Sequence, residues 1–172
     1  ASMMVGRPVN LSLDRTTSKP GNALLEVRNL SVLNEKQDTA LSNISFNVKE
    51  GEILGVAGVQ GNGQTELVDA ITGLRPKLSG EILYFGENMN TISPRKIHQI
   101  GIRHIPEDRQ KSGIIGNFTV SENLILNNYY ASPYSKNYAM DWSKVNVESE
   151  RIIHKFDIRT PSANTLAENL SG

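Results

Sequence analysis

The fold is decided by one stretch of the sequence, Gly51-Glu-Ile-Leu-Gly-Val-Ala-Gly58-Val-Gln-Gly61-Asn-Gly63-Gln64-Thr65-Glu66-Leu67-Val68. Within it, Ile53 to Ala57 is a short apolar run rich in branched side chains, which predicts a buried strand. Three glycines follow, and then Leu67, Ile71 and Leu74 recur with the spacing of one helix face. The stretch therefore predicts a strand, a glycine-rich turn and a helix in succession.

This order is typical of a phosphate-binding loop. Glycines let the backbone approach a ligand closely, and consecutive N–H groups can converge on an anion at the positive end of the helix. The pattern G-x-x-x-x-G-K-[ST] is met at Gly58, Gly63 and Thr65, but Gln64 stands where the pattern has lysine. We therefore predict nucleotide binding without competent hydrolysis at this loop. The alternative is a glycine-rich turn that binds nothing.

Composition narrows the class of protein. The 172 residues contain 18 Lys and Arg against 18 Asp and Glu, and this zero net charge disfavours a nucleic-acid partner. The absence of cysteine excludes disulfides and cysteine metal sites, and His98, His104 and His154 lack the spacing of metal ligands. With no signal-peptide pattern and no apolar run of about 20 residues, we expect a soluble, cytoplasmic chain.

Local patterns predict the remaining elements. Residues 1–22 are expected to form an extended arm or linker. Ser93 and Pro94 indicate the start of a short helix, and Thr119 with Glu122 fits a capping box that starts another. Strands are predicted over 23–33, 41–48, 81–85 and 102–105, and loops over 107–113 and 127–137. A last helix is predicted to begin at Ser143 or Asn146. Its buried face would contain Ile152, Ile153 and Phe156.

Taken in order, these features resemble an ATP-binding-cassette (ABC) domain. The resemblance rests on the antiparallel strands, the glycine-rich loop and three later segments, which are Thr72-Gly-Leu…Pro76…Ser79-Gly-Glu-Ile…Gly86, Ile105-Pro-Glu107 and Asn169-Leu-Ser-Gly172. The last segment is similar to the start of the family signature Leu-Ser-Gly-Gly-Gln. The implied fold class is α/β, with a partial ABC-type P-loop NTPase core and an antiparallel β-subdomain together over 23–115. The start of a helical subdomain follows over 116–172, up to the signature motif.

A narrower resemblance is to the second cassette of the tandem ATPases of bacterial sugar and nucleoside importers. It rests on Pro106-Glu-Asp-Arg109 followed by Gly113, on the loop without lysine, and on Met4-Val-Gly-Arg7, which is similar to the linker between the cassettes. The implied partners are the first cassette of the same parent chain and membrane permease subunits. The implied location is peripheral, on the inner face of the cell membrane. The rival interpretations are a regulatory module that binds no nucleotide and a soluble ABC ATPase outside transport.

The resemblance also implies the site residues. ATP would lie on Gly58, Gly61, Asn62, Gly63, Gln64, Thr65 and Glu66. Thr65 and Glu107 would face Mg²⁺, although Glu107 also fits a solvated acid in a charged run. Leu170, Ser171 and Gly172 would serve the site of the partner cassette. No catalytic residue is assigned, and the aromatic side chain that stacks on adenine is replaced by Val32 or Leu33.

In the family, two strands after the signature separate the loop strand from the strand at 102–105. Both strands would lie after Gly172, as would the Walker B aspartate, the catalytic glutamate and the switch histidine. Without them, we expect apolar parallel edges to be left unpaired, and such edges invite pairing with another chain. The expected result is self-association or a rearranged position for residues 101–172.

Overall fold

The strands that precede the glycine-rich stretch form an antiparallel sheet. The computed structural model describes residues 19–137 and 139–170, in which β1 spans Ala23–Leu33 and β2 spans Thr39–Lys49. With β3 (Ser79–Tyr84) and β4 (Glu87–Asn88) they form a four-stranded antiparallel sheet in the order β2-β1-β3-β4. The predicted strand at 23–33 is confirmed with the same ends, and those at 41–48 and 81–85 are confirmed with ends that differ by one or two residues.

The core of this sheet lies along its central strand, β1. Val27 pairs with Phe46 of β2 on one side and with Ile82 of β3 on the other. Val27, Leu30 and Val32 are at most 1% exposed. Branched and apolar side chains at these positions favour a strand that is covered on the face they occupy.

Helix α1 (Gln64–Ile71) packs on the sheet with Leu67 and Ala70 buried. It ends at Gly73, whose φ of 74° only glycine adopts at little cost. The Gly73 N–H donates to the Ala70 carbonyl at 3.3 Å, and the Leu74 N–H donates to the Asp69 carbonyl at 2.8 Å. Leu74, which the sequence places on the buried face of this helix, therefore lies beyond its end and is 63% exposed.

The start of α1 is seated against β2 through Gly63. A Cβ atom at Gly63 would lie 2.6 Å from Leu41 Cδ2 and 2.9 Å from the Ala40 carbonyl oxygen. Its φ of 98° is in the left-handed region, which disfavours a side chain as well. The glycine thus allows the loop before α1 to lie directly on the sheet.

Helix α2 (Pro94–Gln99) has the predicted start. Ser93 Oγ accepts a hydrogen bond from the Lys96 N–H at 3.4 Å, and Pro94 occupies the first helical position. Ile97 is buried beneath the turn at Gly73. The element therefore packs where α1 ends.

Two predicted strands are not formed. Residues 53–57 and 102–105 have irregular backbone, and no described residue pairs with either segment in a sheet. A strand is stabilised by ladder hydrogen bonds to a neighbour, and apolar composition alone does not replace them. The prediction of strands at these positions is wrong for this chain. The predicted rearrangement of residues 101–172 stays a prediction.

The described residues divide into two compact units between Gly101 and Ile102, and the expected subdomain boundary at 115 and 116 stays a prediction. The arm expected over 1–22 lies mostly outside the described residues. In the second unit, the polar loop at 107–113 contains a π-helical turn, Arg109–Gly113, in which Asp108 Oδ1 accepts from the Lys111 N–H at 2.9 Å. The loop expected at 127–137 contains turns and β5 (Ser135–Lys136), which pairs with β6 (Ala139–Met140).

Helix α3 (Val120–Ile125) begins with the predicted capping box. Thr119 Oγ1 accepts from the Glu122 N–H at 3.2 Å, and Glu122 Oε2 accepts from the Thr119 N–H at 2.7 Å. The N–H groups of Val120 and Ser121 donate to the carbonyls of Thr165 and Ala163, both at 2.9 Å. The capped end of α3 therefore also holds the segment that leads to Leu170.

Helix α4 (Trp142–Phe156) begins earlier than predicted. Asp141, rather than Ser143 or Asn146, is its N-cap, and its carboxylate accepts from the Lys144 N–H at 3.2 Å. Val145 and Ser149 are buried, whereas Ile152 and Ile153 are half-buried and Phe156 is exposed. The expected burial of Phe156 is wrong, because the buried stripe lies in the first half of the helix and Phe156 is its last residue.

A matched pair of glycine variants tests the seating of α1. Gly61 and Gly63 both have positive φ, but a Cβ at Gly61 would meet no atom within 4 Å. Gly61→Ala should cost roughly 1–2 kcal/mol of unfolding free energy for the left-handed backbone. Gly63→Ala should cost a further amount of roughly 1–3 kcal/mol, because the methyl group overpacks Leu41. Urea unfolding followed by circular dichroism measures the unfolding free energy of both variants. Equal losses of unfolding free energy would contradict the close contact between Gly63 and β2.

Removing the capping box should weaken the second unit. Thr119→Ala should lower the unfolding free energy by roughly 0.5–2 kcal/mol, whereas Thr119→Ser, which keeps the hydroxyl, should cost less.

Hydrogen bonds from the Thr119 N–H and hydroxyl lower the pKa of Glu122. A lowered carboxyl pKa stabilises the folded chain at neutral pH, and this stabilisation is lost as the pH falls through the folded pKa. Glu122→Gln should reduce that acid dependence in unfolding curves measured at several pH values.

Candidate functional site

The glycine-rich loop is an exposed segment that leads into α1. The Asn62 N–H donates to the Val59 carbonyl at 3.2 Å, which closes a tight turn around Gly61. Gly61 has a φ of 86°, and the space where its side chain would lie is open. Backbone groups of the loop can therefore be approached closely from this side.

The start of α1 offers N–H groups that no side chain caps. Gly63 is the N-cap residue, and the Leu67 N–H donates to its carbonyl at 2.9 Å. The N–H groups of Gln64, Thr65 and Glu66 precede this bond, at the positive end of the helix dipole. Thr65 is exposed and Glu66 is half-buried. The geometry suits an oxyanion, because the N–H groups point to the open end of the helix.

Gln64 folds back over the loop. Its Nε2 donates to the Val59 carbonyl at 3.0 Å, and its Oε1 accepts from the Asn62 N–H at 3.2 Å. A side chain at Gly58 would collide with the Gln64 amide group, so Gly58 provides the room for it. The neutral amide thus bridges the two ends of the turn, and it uses one of the N–H groups that the sequence analysis assigns to phosphate.

This double contact is a feature that the sequence analysis missed. The sequence pattern predicts only a neutral amide donor at Gln64, in place of the lysine of the motif. A carboxamide, however, carries both a donor and an acceptor, whereas an ammonium group has donors alone. That chemistry was the available signal, but only the folded turn shows that Val59 and Asn62 are the partners.

The two residues predicted to face Mg²⁺ belong to different units of the chain. Glu107 is exposed and belongs to the second unit, whereas Thr65 belongs to the first. Within residues 19–137 and 139–170, no three His, Asp or Glu side chains form a group that could hold a metal ion. Their joint role at Mg²⁺ stays a prediction.

The positions assigned to adenine stacking and to the signature differ in burial. Val32 is buried in the core of β1, and Leu33 is half-buried. Leu170 is half-buried beside the 3₁₀ turn Ala167–Asn169, while Ser171 and Gly172 lie outside the described residues. Val32 therefore presents no surface to a base.

A cavity of about 570 Å³ lies within the second unit, beside the turn that follows Glu107. Its lining is largely apolar and includes Ile114, Val120, Leu124, Ile158 and Leu170. Asn123 supports its wall, because its side chain accepts from the Ile115 N–H at 2.8 Å and donates to the Ile115 and Thr119 carbonyls at 3.0 Å. No sequence pattern indicates this role for Asn123.

None of the helices in the described part of the chain has the length and apolar character needed to cross a membrane.

Comparison with known proteins places these features in a family. The sequence profile described as "ABC transporter" matches residues 41–172. The chain is 40% identical over 172 residues to the guanosine import ATP-binding protein NupO of Bacillus subtilis, covering all of this chain and 34% of NupO. It is 40% identical over 176 residues to the ribose import ATP-binding protein RbsA of Clostridium tetani, covering 99% of this chain and 33% of RbsA. The chain thus spans about a third of the length of these relatives.

The fold agrees with that assignment. A crystal structure of a nucleotide-free ATP-binding cassette from an ABC transporter matches with a TM-score of 0.65 at 21% identity, covering 87% of this chain and 60% of the cassette. The likeness shows a partial ABC-type P-loop NTPase fold. Because the family profile matches well over half of the sequence, the chain belongs to the ABC transporter family.

Proposed function

We propose that this chain is the ATP-binding part of an importer for a sugar or a nucleoside, and that it is the second, degenerate cassette of that importer. The relatives named for guanosine and ribose import, with equal identity to this chain, support the substrate class. The observation that carries the proposal is the Gln64 side chain, which bonds to its own loop where the motif has a phosphate-binding lysine.

The residues present fit a phosphate group. The start of α1 has no side-chain cap, and Gly61 leaves its approach open. The N–H groups from Gly61 to Thr65 would hold the phosphates, with the Asn62 N–H shared with Gln64. Bound ATP would supply the negative charge of its phosphates, which these N–H groups at the positive end of α1 would attract. The fit predicts weak binding, because the nest of N–H groups remains while the lysine charge is missing.

Mg²⁺ would contact the Thr65 hydroxyl and the Glu107 carboxylate. An acid at position 107 attracts the metal ion but repels phosphate, so it adds little net affinity for the complex. No residue of this chain is assigned the task of activating water. We therefore propose that this half binds nucleotide without hydrolysing it.

The proposed partners follow from the relatives' role in import. A first cassette of the same parent protein would face the loop, and Leu170 with Ser171 and Gly172 would contribute to that cassette's site. Permease subunits would hold the pair at the inner face of the membrane. The rival functions, a module that binds no nucleotide and a soluble ATPase outside transport, lack a specific observation in their favour.

Restoring the motif lysine should tighten nucleotide binding. Gln64→Lys should improve the affinity for ATP, because a hydrogen bond to a charged group contributes roughly 1.5–3 kcal/mol against about 1 kcal/mol for a neutral one. Gln64→Ala is the matched control, since it removes the same bridge across the turn without adding charge. Titration calorimetry should give an ATP affinity for Gln64→Lys above those of the wild type and Gln64→Ala. Equal affinities in all three would mean that the loop is not the site.

The chain should also lack ATPase activity. Hydrolysis needs a group that orients the attacking water and a complete metal shell, and neither is assigned here. Phosphate release from the purified chain with Mg²⁺ should stay at the background rate of a Thr65→Ala, Gln64→Ala double variant. Release above that background would contradict the proposal of a non-hydrolysing site.

A further inference from the structure

The carboxamide of Gln64 contacts a backbone N–H group that the proposed function assigns to phosphate. Its Oε1 accepts a hydrogen bond from the Asn62 N–H at 3.2 Å, and its Nε2 donates to the Val59 carbonyl at 3.0 Å. A carboxamide oxygen and a phosphate oxygen are both acceptors, so each can bind the same N–H group. Gln64 thus places an acceptor of the chain itself where the proposed function places an acceptor of the ligand.

The Asn62 N–H has a single hydrogen and already has two acceptors. It donates to the Val59 carbonyl and to Gln64 Oε1, both at 3.2 Å. These distances lie at the long end of the range for N–H···O bonds, as expected when one hydrogen is divided between two acceptors. A phosphate oxygen can approach this hydrogen closely only when Gln64 Oε1 moves away. The carboxamide and the phosphate therefore compete for one donor.

The hydrogen bonds that hold Gln64 over the loop can be exchanged at low cost. Both of them are exposed to solvent, and an exposed bond adds little net stability because water replaces it when it opens. A glutamine side chain also turns about single bonds between staggered conformations without a change of the backbone. Since the partners of Gln64 lie in the loop between Gly58 and Asn62, this movement is confined to the loop.

We propose that Gln64 is an internal competitor of phosphate: its carboxamide closes the empty loop and swings out of it when a nucleotide binds. This inference rests on the proposed function, because it needs a phosphate group to reach the loop. It adds a second cause of weak binding to the missing lysine charge. Gln64 brings no positive charge, and its two hydrogen bonds have to break before the Asn62 N–H is available.

Gly58 offers a way to open this contact without removing the Gln64 amide. A Cβ atom at Gly58 would collide with Gln64 Nε2 and lie 3.3 Å from its Cδ, both at the far end of a flexible side chain. Gly58 has no positive φ, so alanine is compatible with its backbone. Gly58→Ala should therefore displace the carboxamide and tighten the binding of ATP and of inorganic tripolyphosphate. The expected gain in titration calorimetry is roughly tenfold, a factor of about three for each exposed hydrogen bond that no longer has to break.

Two matched controls separate this effect from a general effect of the substitution. Gly55→Ala makes the same change before the loop, where a Cβ would meet no atom within 4 Å, and it should leave both affinities unchanged. In a Gln64→Ala background, which lacks the carboxamide, Gly58→Ala should no longer tighten binding. An equal gain with and without the carboxamide would overturn the proposal, as would the absence of a gain in the wild-type background.

Nuclear magnetic resonance of the wild-type chain gives a measurement that needs no variant. Addition of tripolyphosphate should shift the side-chain amide signals of Gln64 together with the backbone amide signal of Asn62, because both groups leave the same contact. In Gly58→Ala, the Gln64 signals should already lie near those of a solvent-exposed glutamine before ligand is added. A shift of the Asn62 signal alone would overturn the proposal, because Gln64 would then stay in the loop when phosphate binds.

The outcomes also separate this proposal from the proposed function. Nucleotide binding that Gly58→Ala does not change would overturn the competition and leave the loop as the nucleotide site. A failure of ATP and tripolyphosphate to bind to any form of the chain, Gln64→Lys included, would overturn the proposed function and the competition with it.

Discussion

The first unit depends on the two-sided pairing of β1. This strand donates and accepts ladder hydrogen bonds with β2 and β3, and its apolar face is almost completely removed from water. Burial of this kind contributes roughly 1.5–3 kcal/mol for each large apolar side chain. Two residues attach α1 to the sheet that β1 centres. Gly63 lets the start of the helix lie against β2. Arg75 links α1 to β1, because it donates to the Leu33 carbonyl at 3.3 Å and pairs with Asp69 at 3.4 Å.

The candidate loop shows that the shape of a phosphate-binding turn and its charge can be separated. The turn, its glycines and the uncapped start of α1 are all formed without a lysine. Gln64 provides an internal bridge between Val59 and Asn62 in place of an external contact with phosphate. Under the proposed function, phosphate would be held by backbone dipoles, which are fixed by the fold, and not by a mobile cation.

The second unit is organised by hydrogen bonds at the start of α3 rather than by a sheet. The Thr119 and Glu122 capping box fixes the helix start, while Asn123 bonds the backbone on either side of Phe118. The chain from Ala163 to Glu168 then pairs with residues 116–121. These contacts satisfy backbone groups locally, whereas residues 53–58 make no backbone hydrogen bond to another described residue.

The sequence by itself determined the family resemblance, the antiparallel strands, the starts of α2 and α3, and the position of the glycine-rich turn. These features depend on local signals: the alternation of apolar and polar residues, helix-capping side chains and glycine. The physical effect of each lies within a few residues. Tertiary structure alone decided that residues 53–57 and 102–105 are not strands, since a strand requires a neighbour whose presence no local pattern reveals. It also decided the partners of Gln64 and Asn123 and the exposure of Phe156, because these depend on which backbone atoms the folded chain brings within reach.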